Sequence, residues 1–253
     1  VKVAQYKLLN NNQMQSFQCN VIGHIESPYK EKFAIPRQPG LVLGGSGRLH
    51  LHPPYNDPNA VRGLEQFSHI WVLFIFHQTM NGGWKPLVRP PRLGGNDKMG
   101  VFATRSTFRP NPIGMSLIEL KGVIQKHNQV ILELGSLDLV DGTPVIDIKP
   151  YLPFAEAIPN AQAGFAQDAP SVDMHVIFHP QVQQDLEKYQ IRYPGIVQFI
   201  QQVLMQDPRP AYKKQAMTEP RDYAVHLLDF NVRWRVINNV TEVFAIEPYE
   251  KII

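Results

Sequence analysis

A single cysteine, Cys19, in 253 residues excludes an internal disulfide and any cysteine-cluster metal site. One unpaired thiol also suits a reducing compartment. No apolar run approaches the ~18 residues of a membrane-spanning helix, since Ile70–Phe76 stops at His77. Residues 1–16 are polar and rich in Asn and Gln, so they do not read as a signal peptide. They read as a disordered or cloning-derived tail, with Met14 as a candidate start. The common signatures are missing too: no GxGxxG after a strand, no Walker loop, no HExxH and no GxSxG elbow. Net charge is only +3, which by itself implies no polyanionic partner. What is present is an ordinary globular composition. Apolar residues make up 43% and charged residues 19%, enough for one large domain, or for one of ordinary size and a small one. The 22 prolines argue for many loops and against a helical bundle.

Short strands with turns between them dominate the first 150 residues. Val21–Ile25, Arg48–His52, Ile70–Phe76, Gly114–Lys121, Gln129–Leu134 and Val145–Ile148 read as strands. Ile70–Phe76, apolar on both faces, reads as a central one. Val61–Phe67 reads as one helical turn, residues 79–99 as a long loop, and Asp141-Gly142 as a tight turn. Such a pattern argues for a β-barrel or sandwich over residues 17–154. Residues 155–171 lack any period and read as a linker. Beyond them a strand (Val172–Phe178), two helices (Pro180–Tyr189, Gly195–Met205) and three strands (about 222–229, 231–237 and 241–247) make a smaller α+β domain, 172–253. The chain is therefore mainly β, a first β-domain followed by an α+β one.

Chemistry concentrates in the segment Phe102–Ser116, where two arginines, four hydroxyls and an asparagine are stiffened by Pro110 and Pro112. It lies at the mouth of a strand, where binding groups are commonly presented. Local charge is more telling than the total. Residues 79–121 hold seven Lys/Arg against Asp97 and Glu119, and 208–221 hold four against Glu219, balances of +5 and +3. Lys85, Arg89, Arg92, Arg109, Arg209 and Lys213 are the candidates for nucleic-acid phosphates. His50 and His52 share a strand face that could chelate a cation, but no third ligand stands at supporting spacing, so no metal is expected. Gly44-Gly-Ser-Gly47 reads as a flexible turn and Cys19 as inert packing in a strand-like run.

The segments SPYKEKFAIPRQPGL (27–41), RGLEQFSHIWVLFIFHQT (62–79), RPPRLGG (89–95), GVFATRSTFRPNPIGMS (100–116) and GSLDLVDGTPVIDIKPY (135–151) closely resemble the TrmO (TsaA/YaeB-like) family. DPRPAY (207–212) and DFNVRWRV (229–236) resemble the second domain of its longer bacterial members. The resemblance implies a β-barrel methyltransferase unrelated to Rossmann-type enzymes, using S-adenosylmethionine. Its acceptor would be N6 of threonylcarbamoyladenosine beside the anticodon of threonine tRNA. It further implies a cytoplasmic homodimer with cofactor near the subunit interface. Carried over by motif, Pro36, Arg37, Gln38, His77, Gln78, Arg105, Met115, Gly135, Ser136, Leu137 and Asp138 would contact the cofactor. Arg105 or Arg37 would pair with the methionine carboxylate. Asp138 would receive the ribose hydroxyls or the ammonium, and backbone groups near Gly135 and Ser136 would read the adenine edge. The acceptor proton must leave, and Tyr29, His77 and Asp138 are the candidate bases. Without the resemblance the residues leave three functions open: an RNA methyltransferase, a non-catalytic tRNA-binding module, and a methyltransferase acting on a small molecule or protein.

Overall fold

A computed structural model describes residues 16, 18–94, 97–170, 174–209, 221–238 and 240–249. Strands β1 (Gly23–Glu26), β2 (Ser46–Leu51) and β3 (His69–Ile75) come first. The excursion that follows contains two-residue strands, β4 (Leu87–Val88) and β5 (Met99–Gly100), paired with each other. With β6 (Ile113–Lys126), β7 (Gln129–Ser136) and β8 (Pro144–Pro150) the chain closes an antiparallel barrel in the order β1-β2-β7-β6-β3-β8. Period-two patterning puts alternate residues inside. Ile25, Leu49, Ile70, Val72, Ile118 and Leu132 are fully buried there.

Three local readings change. β3 is covered on one face only: Ile70, Val72 and Phe74 point inward, while Trp71, Leu73 and Ile75 stay half-buried outside. Residues 58–67 form two 3-10 turns, Pro58–Val61 and Leu64–Gln66, in place of one helical turn. β6 runs on to Lys126 because His127 and Asn128, at φ 51° and 58°, close a tight hairpin into β7. Cys19 lies outside the strands, partly exposed.

After the barrel, α1 (Pro153–Glu156) is a single turn. Then come β9 (His175–Phe178), α2 (Gln183–Arg192), α3 (Ile196–Met205), β10 (Asp222–Leu227), β11 (Phe230–Ile237) and β12 (Val240–Pro248). The sheet order is β10-β11-β12-β9, with β9 parallel to β12 and the other pairs antiparallel. Apolar residues at helical spacing on α3 (Ile196, Phe199, Ile200, Val203) are buried against this sheet's core.

Main-chain bonds join the sheet to the barrel. Leu228 N donates to Pro28 O (2.8 Å), Lys30 N donates to His226 O (3.4 Å), and Tyr29 bridges to Leu227. Tyr29 is fully buried, its ring 5.7 Å from that of Phe199. The glycines between Val42 and Leu49 are needed for this packing, which corrects their reading as a flexible turn. A Cβ on Gly45 would stand 2.0 Å from the Tyr29 hydroxyl, and one on Gly44 would stand 3.0 Å from Phe199 Cβ. Gly44 N also donates to Gln202 Oε1 of α3 (3.3 Å).

Candidate active site

At one mouth of the barrel, four segments far apart in the chain enclose a cavity of ≈ 350 Å³. Pro36, Arg37 and Gln38 come from the loop after β1, and Phe74 and Phe76 from the end of β3. Thr104, Arg105 and Arg109 precede β6, Ile113–Ser116 begin it, and Asp138 follows β7. The antiparallel register explains the wall, because Phe74 sits opposite Gly114. A Cβ on Gly114 would lie 2.4 Å from Phe74 Cζ and 2.8 Å from Phe76 Cζ. Only a bare backbone lets these two rings meet edge to face, 5.2 Å between centroids, beside the cavity.

The polar groups of 102–116 divide into braces and a reaching group. Thr104 Oγ1 donates to Val101 O (2.9 Å) and accepts from Ser106 N (3.2 Å); Ser106 Oγ accepts from Phe108 N (3.3 Å). Arg109 donates to the carbonyls of Thr104 (2.7 Å) and Val101 (3.2 Å), with its guanidinium 5.7 Å from the Phe102 ring. These bonds hold the loop's own backbone. Arg105 reaches outward, donating from Nη1 to Gln38 Oε1 (2.7 Å), and so spans the cavity rim.

Asp138 is the electrostatic centre. Ser116, itself 2% exposed, donates from Oγ to Asp138 Oδ1 (2.6 Å). Burial pushes the Asp138 carboxyl up to about 6, against the opposing pull of the Ser116 bond and the Arg105 charge. The other two candidate bases stand differently. Tyr29 is buried in the seam outside the cavity lining, and its hydroxyl has no hydrogen-bond partner among the described residues. Burial, and then the nearby Asp138 charge, hold its pKa well above the usual phenol range. His77 lies in the turn after Phe76, and burial lowers its pKa despite a bond to the Ile75 carbonyl.

The structure thus brings Pro36, Arg37, Gln38, Arg105, Met115 and Asp138 around one cavity, with His77 and Gln78 in the turn beside it. Gly135, Ser136 and Leu137 stand behind the lining. Ser136 Oγ accepts from Gly40 N (2.9 Å) and donates to Val42 O (2.8 Å), while Leu137 is fully buried. They hold the loop that follows Pro36–Gln38. Sequence reasoning missed Phe74, Phe76, Thr104, Gly114 and Ser116. For Ser116 the signal was a lone hydroxyl on the inward face of an otherwise apolar strand.

Among the phosphate candidates, Lys85, Arg89 and Arg92 are exposed. Lys85 Nζ lies 4.4 Å over the Phe108 ring, and Arg92 donates to Asp168 O (2.5 Å). Arg209 does not sit as an exposed cation. It is 9% exposed and grips Asp207 through Nε (2.7 Å) and Nη2 (3.0 Å). Lys213 lies outside the described residues. The missing third histidine turns out to be His24. Strand pairing sets it opposite His50, with Nδ1 2.7 Å from His52 Nε2, while His50 Nε2 meets Glu26 Oε2 at 2.6 Å. Among the described residues no such group is arranged to hold a metal ion.

Residues 24–157 match the family model of the tRNA-methyltransferase O (TrmO) N-terminal domain, and residues 171–249 match that of the TrmO C-terminal domain. The tRNA (adenine(37)-N6)-methyltransferase of Escherichia coli is 65% identical over 235 residues, covering 93% of this chain and 100% of that protein. A putative S-adenosylmethionine-dependent methyltransferase RcsF of Pseudomonas aeruginosa is 48% identical over 84% of this chain and 90% of its own. The crystal structure of TrmO from Pseudomonas aeruginosa superposes with a TM-score of 0.74 at 38% identity, covering 92% of this chain and 98% of that one.

Proposed function

This chain belongs to the TrmO family of tRNA methyltransferases, and we propose that the cavity at its barrel mouth methylates N6 of threonylcarbamoyl-modified adenosine 37 in threonine tRNA. Its activity is that of an S-adenosylmethionine-dependent tRNA (adenine-N6)-methyltransferase. The observation that carries the site assignment is the cavity's donor set, with three arginines, one perturbed carboxylate and two aromatic rings converging from distant segments.

That set fits the cofactor's chemistry. S-adenosylmethionine joins a zwitterionic amino acid to a sulfonium, a ribose and an adenine, and when bound it supplies an electrophilic methyl group. Arg105 and Arg37 offer fixed positive charge to a carboxylate. Phe74 and Phe76 offer ring surface to adenine or to a cation. The Gln38–Arg105 bond pre-sets the rim, so less ordering is left to binding. Alignment of donor and acceptor supplies most of the rate in such a displacement. Asp138 is the base in this reading. It lines the cavity, Ser116 fixes its carboxylate, and a pKa of about 6 leaves it ionised yet basic at neutral pH. With the methyl passing from the sulfonium to N6 and a neutral thioether left behind, Asp138 would accept the proton that N6 gives up.

Lys85, Arg89 and Arg92, exposed on the excursion beside the site, meet tRNA phosphates. Arg109 and Arg209 are occupied by internal contacts and shape the loops that carry them. The half-buried outer face of β3 and the 49%-exposed Met115 suit association of two copies, and the reading is of a cytoplasmic homodimer.

The test is methyl transfer to threonine tRNA prepared with and without the threonylcarbamoyl group, followed by nucleoside mass spectrometry. One added methyl, only on the modified adenosine, is expected. Equal methylation of unmodified adenosine would overturn the substrate assignment.

A further inference from the structure

A second cavity, ≈ 280 Å³, lies on the far side of the segment that carries Pro36–Gln38. One wall is that segment, with Lys32, Phe33 and Ile35; the opposite wall is α3 and the turn after it, with Val203, Gln206 and Pro208. It therefore opens along the seam between barrel and second sheet. Arg37 lines both cavities, so the two are separated by no more than the thickness of one chain segment.

The chemistry of this cleft is specific. Its surface is mostly apolar, and Phe33 is an aromatic ring left 53% exposed. Lys32 Nζ sits 5.2 Å from the centre of that ring, so ring and cation are presented together. Gln206 places an amide, both donor and acceptor, on the facing wall. Asp207 is the one carboxylate among the described lining residues, and the Arg209 guanidinium neutralises it through two bonds. Among the described residues Lys32 and Arg37, at the mouth, make no ion pair, so Lys32 in particular offers its charge to a ligand of this cleft. An exposed ring, an amide able to read an edge, and cations beside them form the combination that holds a splayed-out base and its phosphate. A hydrophobic peptide would not use the cations, and an acidic one would not use the ring and amide.

We propose that this seam cleft is a nucleobase subsite taking a single-stranded nucleotide next to the target adenosine of the same tRNA. The proposal rests on the tRNA reading of the neighbouring cavity. It gives the second sheet a part in catalysis: α3 supplies one wall of the subsite, and Arg37 lies between the two nucleotides. A base clamped there would hold the next nucleotide out of its stack and over the first cavity.

The experiment uses the full chain with an anticodon stem-loop RNA, intact or carrying an abasic ribose on either side of the target adenosine. Phe33→Ala is expected to weaken RNA binding ~5- to ~100-fold, the range for losing one stacked base, with the dissociation constant for S-adenosylmethionine unchanged. Phe33→Tyr keeps the ring and should bind like the parent, and Gln206→Ala should fall between. One abasic substitution should weaken the parent protein but have no effect on Phe33→Ala. If Phe33→Ala binds intact RNA like the parent, or loses as much as the parent to the abasic sugar, the subsite is overturned. An altered oligomeric state of Phe33→Ala with full RNA affinity would overturn it too, assigning the ring to a protein interface. A parent protein that neither binds the stem-loop nor methylates tRNA sinks the tRNA reading as well. Normal methylation with an indifferent Phe33→Ala sinks the subsite alone.

Discussion

Asp138 carries the largest consequences of any single residue in the cavity. Its carboxyl is raised from 3.8 to about 6 by burial, so the folded protein holds this proton more tightly than the unfolded chain. Below pH ~4 both states are protonated and the group contributes nothing. Between about pH 4 and 6 the unfolded chain alone is ionised, so stability falls as pH rises. Above about 6 the loss levels off at up to ~3 kcal/mol. Asp138→Asn keeps an acceptor for Ser116 and should therefore raise the melting temperature at pH 7.5 but not at pH 4. The same variant should lower kcat/KM by ~100-fold or more and remove a rise in kcat/KM centred near pH 6. Arg105→Ala tests the other charge. Loss of the charged hydrogen bond proposed to the cofactor carboxylate, worth about 1.5–3 kcal/mol, predicts a ~10- to ~150-fold larger cofactor dissociation constant by calorimetry at an unchanged melting temperature, since the bond to Gln38 is exposed. A lower melting temperature with intact affinity would make Arg105 structural.

Elements act here through the close approaches they permit. Gly114 on β6 lets the Phe74 and Phe76 rings close against the strand. Gly114→Ala should displace them and weaken cofactor binding several-fold, detectable by titration calorimetry. Gly45→Ala should cost about 1–3 kcal/mol by overpacking the Tyr29 hydroxyl, which lies in a fully buried side chain. Tyr29→Phe removes that hydroxyl but leaves Cζ 2.8 Å from the added Cβ, so the double variant should regain part of the loss in chemical denaturation. By itself Tyr29→Phe should retain methyl transfer, since the ring lies in the seam rather than the cavity. Strand periods were readable in the chain because alternation reports which face is covered. The β6–β7 hairpin was not, since His127 and Asn128 must both adopt positive φ and neither is glycine.

Among the described residues the barrel and the four-stranded sheet are locked along the seam at Pro28–Lys30 and α3. Apolar burial is continuous from the barrel through Tyr29 and Phe199 into the second sheet. Phe199→Ala should therefore lower stability by about 3–5 kcal/mol and split a single melting transition into two, as followed by calorimetry. A single transition at slightly reduced temperature would mean that the seam contributes little. The seam also explains why motif reading missed the second cavity. Its walls, near residues 33 and 206, are far apart in the chain and meet through the main-chain bonds at Pro28–Lys30 and the packing of α3.

Composition and period by themselves determined that the chain is mainly β, a first β-domain followed by an α+β one, and motif resemblance singled out Arg37, Arg105 and Asp138 as candidates for the chemistry. Each of these is written in residues close together, as alternation or as a rigid polar loop. Tertiary structure alone decided which polar groups are occupied and which are presented. Arg105 and Arg109 stand four residues apart in one motif, yet one spans a cavity and the other braces its own backbone. Arg209, exposed by its composition, is buried against Asp207. Ser116 becomes the partner of Asp138 only when β6 and the end of β7 meet. The physical reason is common to all: a charge or hydroxyl acquires its role from its partners, and those partners are brought to it by long-range pairing.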